Sequence, residues 1–161
     1  MGLAEVSNIL WQERNLLELL QFKLDEQQLL LAAGKARWLP YATSELDRVL
    51  EELRHVELVR AIEVDAVAEE LGIAAGPSLA DLTLAAPEPW ASIFDQHRAA
   101  LLGLGEDIRI LAAMSTEMLA RGEAAIRTLA HGIGGPGPDH YTSDGSRVSA
   151  DRSALILDQT L

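Results

Sequence analysis

The sequence predicts an all-α protein: an elongated antiparallel three-helix bundle, or helical hairpin, with coiled-coil-like seams and a flexible C-terminal tail. Hydrophobic residues make up 48% of the 161 but aromatics only 4%, so the core has to be built from Leu, Ile, Val and Ala, the palette of packed helices. Apolar residues recur three and four apart over long stretches, the period of a helix with one buried stripe. Glycine and proline gather near 34–40, 72–89 and 132–138 and divide those stretches from one another.

In the first stretch Leu3, Val6, Leu10, Leu17, Leu20, Leu24 and Leu31 form a heptad seam once the polar positions Glu13 and Gln27 are counted. No proline interrupts residues 3–33, which as one helix would run roughly 45 Å, and Gly34 is a natural stop. The link Gly34-Lys35-Ala36-Arg37-Trp38-Leu39-Pro40 ends in a proline, which disfavours helical backbone in the residue before it, so the chain should turn here. A link this short makes the next helix an antiparallel neighbour.

The second helix, about 41–71, carries Leu46, Val49, Leu53, Val56 and Val67 on one side, and nine acidic against three basic residues overall. Glu45 with Arg48, Glu51 with Arg54, and Glu57 with Arg60 stand three apart, where each pair can meet on the helix surface for about 0.2–0.5 kcal/mol. This acidic side reads as a solvated face. Residues 72–89 read as a crossover in which Ser78 caps a short helical turn, about 78–84, before Pro87 and Pro89 break it.

The third helix, about 88–131, has the longest seam. Phe94, His97, Leu101, Leu104, Ile108, Leu111, Ser115, Met118, Gly122, Ala125 and Leu129 alternate three and four apart without a slip. A heptad kept this long favours left-handed pairing of long helices. The run Gly132-Ile133-Gly134-Gly135-Pro136-Gly137-Pro138 cannot continue a helix, which divides the chain into a bundle over 1–131 and a tail over 132–161. The tail holds Tyr141 and the short apolar patch Ala154-Leu155-Ile156-Leu157, too short for a stable isolated helix and expected to order only on contact with a partner.

The net charge of −12 repels phosphate backbones, so no nucleic-acid binding is expected. The absence of cysteine removes disulfides and thiolate chemistry and fits a reducing compartment, the cytoplasm. No apolar run approaches the roughly 20 residues of a membrane span, so no membrane insertion is expected.

Catalytic and metal chemistry have little to stand on. Glu52 and His55 have the Glu-x-x-His spacing of bundle di-iron proteins, but His97, His131 and His140 lack a Glu three residues before them, so the second half of such a site is missing. A ferritin-like di-metal protein is therefore the weakest of three readings, and neither cofactor nor catalytic residue is expected. His97 sits on the seam with no nucleophile beside it and reads as a satisfied or partly exposed structural histidine. Trp11 and Trp90 fall at the same end of an antiparallel bundle, as caps on its core, while Met114 and Met118 read as ordinary core gap-fillers.

The segments Leu10-Trp-Gln-Glu-Arg-Asn-Leu-Leu-Glu-Leu-Leu20, Phe22-Lys-Leu24, Leu29-Leu-Leu31, Gly34 and Arg37-Trp-Leu39 resemble the FlgN family, in its high-GC Gram-positive branch. The similarity continues through Ala42-Thr43 with Glu45, Glu57-Leu58 with Arg60-Ala61, and Leu71-Gly-Ile73, and in the third helix it is one of pattern. The resemblance implies a cytoplasmic chaperone of flagellar type III export. Such a chaperone holds hook-associated, hook–filament junction proteins by their C-terminal helices and prevents premature assembly before secretion. It also implies that Tyr141 is the tail tyrosine that docks to an export-gate component. The chain departs from the simplest family pattern by continuing some twenty residues beyond Tyr141.

Taken together, the expected partner contacts are Met118, Ile126 and Leu129 on the third helix and Tyr141, Leu155, Ile156 and Leu157 in the tail. The remaining alternative is a structural helical protein that oligomerises through the same seams, because exposed heptad positions serve self-association as readily as client binding.

Overall fold

A helix with one apolar stripe must lay that stripe on another element, and this chain solves the problem around its first helix. The computed structural model describes residues 2–133: α1 (Gly2–Ala32), a single 3-10 turn (Ala36–Trp38), α2 (Leu39–Leu71), α3 (Leu79–Ala85) and α4 (Trp90–Ile133). All regular structure among these residues is helical. α1 packs against both α2 and α4, and the short α3 packs on α4, whereas α2 and α4 have no comparable contact with one another.

The order is up, down, up. Gly2 lies against the end of α2, where an added Cβ would stand 2.6 Å from Val67 Cγ2, and at the other end Gln27 Nε2 donates to Thr43 Oγ1 at 3.2 Å. α4 runs parallel to α1: Ser7 touches His97, and Gln28 reaches Leu111 and Ser115. Val6, Leu10, Leu17, Leu20 and Leu24 of α1 meet Val49, Leu53, Val64 and Val67 of α2, Leu79 and Leu82 of α3, and Phe94, Leu101 and Ile108 of α4 in one core.

The turns follow from local chemistry. Gly34 has φ +66° and Gly72 φ +70°, the left-handed conformation that lets a chain leave a helix and close its last carbonyls. Lys35 N–H donates to Leu30 O and Ile73 N–H to Ala68 O. Ser78 caps α3 in a full capping box, its Oγ accepting from Asp81 N–H while the Asp81 carboxylate accepts from Ser78 N–H. The Ser78 hydroxyl, which also donates to Asp81 Oδ2 at 2.7 Å, and then the Ser78 N–H hold the Asp81 carboxyl below its ordinary range.

One local expectation fails. Leu39, which precedes Pro40, is helical, with φ −56° and ψ −41°, so α2 begins before the proline and not after it. Proline lacks only an N–H that the first helical turn leaves unpaired in any case, and its ring already has the helical φ. The chain reverses instead through Ala36–Trp38.

Candidate partner-binding surface

The seam of α4 is buried only as far as it has something to lie on. Phe94, His97, Leu101, Ile108 and Ser115 are buried, and Gln28 Nε2 of α1 donates to Leu111 O at 2.9 Å and to Ser115 Oγ at 3.3 Å. From Gln28, α1 continues four residues, about 6 Å, before it ends at Ala32. From Ser115, α4 continues eighteen residues, about 27 Å, to Ile133. Its last four turns therefore project past α1.

Every residue from 119 to 131 is exposed. Met114 is 47%, Leu119 39%, Ile126 68% and Leu129 65% exposed, and Met118 is half-buried. Met114 thus corrects the reading as a core gap-filler. Met114 stands one residue before the buried seam position Ser115, where α4 still lies against α1, and its side chain falls off that contact on the exposed side of the helix. Gly122, at the middle of the projecting seam, has open space around it, since a Cβ there would meet nothing within 4 Å. Glu117 pairs with Arg121 and Glu123 with Arg127 along the helix, so the charges flanking this apolar stripe cancel locally.

Of the expected contact residues, Ile126 and Leu129 lie on this projecting segment, and the half-buried Met118 stands at its root, where α1 ends. Tyr141, Leu155, Ile156 and Leu157 lie outside the described residues.

At the opposite end of α4 the polar seam positions are structural. His97 is 1% exposed, joined by a hydrogen bond of 3.2 Å between Nε2 and Ser7 Oγ, and Trp11 stands edge-on to its ring with centroids 5.1 Å apart. Burial, aided by the nearby Arg14 guanidinium, pushes the imidazole pKa down and keeps the ring neutral. Trp11 is half exposed, with Arg14 stacked 4.2 Å from its ring centre, and Trp90 leans on Phe94.

Glu13 and Arg60 form a second buried polar pair. Arg60 Nη1 stands 3.0 Å from Glu13 Oε2, off the line a hydrogen bond needs, with both side chains at most 10% exposed. Burial raises the Glu13 carboxyl, and the Arg60 charge opposes that shift without cancelling it. This overturns the surface pairing of Arg60 with Glu57: Arg60 turns inward across the helix interface. The position four residues after Val56 is the next slot of the α2 seam, and that spacing was the available signal. Glu45 likewise pairs across the hairpin, accepting from Lys23 Nζ at 2.6 Å, which holds its carboxyl down.

Glu52 and His55 are both exposed on α2, outside the bundle, which removes the inward geometry a di-metal site needs. A cleft of about 310 Å³ between α1, α2 and α3 is lined by Leu10, Glu57, Arg60, Val64, Leu79 and Leu82 among others, and its one cation already faces Glu13. Among the described residues no helix is long and apolar enough to cross a membrane.

The described residues form an all-helical bundle in which one long helix presents an unpartnered seam beside a packed hairpin. The family model described as FlgN protein matches residues 1–147, and the chain belongs to the FlgN family of flagellar export chaperones. The match runs past the described residues and takes in Tyr141. The comparison with curated proteins found no match, and the comparison with solved structures found none either.

Proposed function

We propose that this chain is the cytoplasmic chaperone of hook-associated proteins, which it holds by their C-terminal helices and keeps from assembling until export. The observation that supports this reading best is the projecting end of α4. Beyond Met118 its heptad seam continues through Gly122, Ala125 and Leu129, all exposed, past the point where α1 ends. An amphipathic helix laid along that stripe would complete a two-helix seam of the kind α4 already makes with α1. Binding of this kind requires a surface and no reacting group.

In this reading Tyr141 serves the export-gate component, and Leu155, Ile156 and Leu157 add apolar contacts to the client. Deleting residues 132–161 should leave helicity and thermal unfolding nearly unchanged while weakening client affinity in calorimetry. Unaltered affinity would take the tail out of the mechanism.

The exposed seam also suits self-pairing, and light scattering separates the two readings. A stable assembly without client would favour a structural oligomer, and a monomer that captures client would favour the chaperone.

A further inference from the structure

The tip of the α1–α2 hairpin is built unlike the rest of the molecule. The chain carries a net charge of −12, yet residues 27–44 contain no Asp or Glu and do contain Lys35 and Arg37. Lys23, Arg60, Arg109, Arg121 and Arg127 are each paired with a carboxylate. Lys35 and Arg37 are exposed and, like Arg14, Arg48, Arg54 and Arg98, make no ion pair among the described residues, but they alone stand in that stretch without a carboxylate. Arg37 stacks 4.7 Å from the centre of the Trp38 ring, and Trp38 in turn lies 5.8 Å from Tyr41. Trp38 is 43% exposed, Tyr41 68% and Leu29 71%, so cations and apolar surface are presented together.

Its position gives this tip a use. Gln28 is held against Leu111 and Ser115 of α4, so the tip, a few residues further on, stands beside the point where α4 leaves the bundle. A helix lying on the projecting seam has one of its ends there.

We propose that Lys35, Arg37, Trp38 and Tyr41 receive the anionic C-terminal end of the client helix and so fix the direction in which that helix lies along α4. The inference rests on the chaperone reading above and adds a polarity to it. A helix C-terminus bears about half a negative charge from its unpaired carbonyls, and the free chain end adds a full carboxylate. The N-terminal end of a helix is positive and would be repelled. Only one of the two directions is therefore complementary: the client runs antiparallel to α4, with its last residues against the tip. Trp38 and Tyr41 supply apolar cover for side chains near that end.

The test uses the full chain with synthetic peptides spanning the C-terminal helices of the hook-associated proteins of the same organism, each made with a free carboxylate and as the amide. Reversing both charges, Lys35→Glu with Arg37→Glu, should weaken the free-acid peptide about tenfold, and less so in high salt. Amidation should weaken binding to the native chain and lose most of that effect in the reversed variant. The pair Lys35→Arg with Arg37→Lys should restore near-native affinity, which separates charge from any disturbance of the turn. Because the chain has no cysteine, a single thiol at Ala36→Cys or Thr128→Cys reports direction by cross-linking to a cysteine placed at the peptide's last residue. Cross-linking should occur at Ala36→Cys. Preferential cross-linking at Thr128→Cys, or affinity indifferent to charge reversal, would overturn the polarity while leaving the chaperone reading standing. Absence of any complex between the native chain and all the peptides would overturn both.

Discussion

Replacing Ile126 and Leu129 together with alanine should separate client binding from folding. These side chains are 68% and 65% exposed in the free protein, so about two thirds of the roughly 1.5–3 kcal/mol that full burial of such a side chain supplies is still available to a partner. That is about 1–2 kcal/mol for each and about 2–4 kcal/mol for the pair, a loss of roughly thirtyfold to several hundredfold in affinity. The fold gives up little, because neither side chain is buried against another element and alanine favours the helix at least as well as isoleucine or leucine. Titration calorimetry with a client C-terminal peptide, alongside thermal unfolding, measures both quantities on the same preparation. Unchanged affinity would show that the projecting seam is not where the client lies. A fall in Tm of the size a core truncation causes would show that the two residues already pack against something in the free protein.

Three further outcomes are expected. Arg60→Ala should destabilise the fold by about 3–5 kcal/mol in urea unfolding by leaving Glu13 buried and unpaired, whereas Glu13→Leu with Arg60→Leu should recover most of that loss; equal losses would mean the pair is not coupled. Because burial depresses His97 below its ordinary 6.5, the unfolded chain takes up that proton first. Its contribution to stability is complete above about pH 6.5 and is lost as pH falls through that value towards the folded pKa, so the urea midpoint of the native chain relative to His97→Asn should drop between about pH 7.5 and 5.5; a constant gap would contradict the burial argument. Gly122→Ala should raise the stability of the free protein by up to about 1 kcal/mol, since the added methyl meets open space, and should weaken client binding, since it would stand between two closely packed helices; raised stability with undiminished affinity would move the client off the seam.

Periodicity was enough for the fold class, because in a long helix the buried stripe is written directly into residue spacing. Phe94, His97, Leu101, Ile108 and Ser115 could be named as seam positions from their alternation of three and four, and each is buried. What spacing does not contain is how far the partner helix extends. Met118 and Leu129 follow the same rhythm as Phe94, yet Leu129 is 65% exposed because α1 stops at Ala32. The exposure of the candidate site is thus a difference between two helix lengths and their register, fixed by the Gln28 contacts with Leu111 and Ser115, and neither sequence segment shows it alone. Polar seam positions were similarly ambiguous. Glu13 could be placed on the seam, but its partner Arg60 also has an acidic neighbour three residues away, and local pairing looked sufficient until the hairpin register set Arg60 opposite Glu13. α2 starts before Pro40 because the steric preference against helical backbone before proline is weaker than the fit of proline itself to a first helical turn.

A chaperone of this kind must capture hook-associated proteins through their C-terminal helices. Co-purification of the native chain with each full-length hook-associated protein of its organism, compared with versions lacking those helices, measures this directly. A soluble complex should form with at least one full-length client and disappear when the C-terminal helix is removed. A complex that persists without that helix, or no complex with any of them, would contradict the chaperone reading.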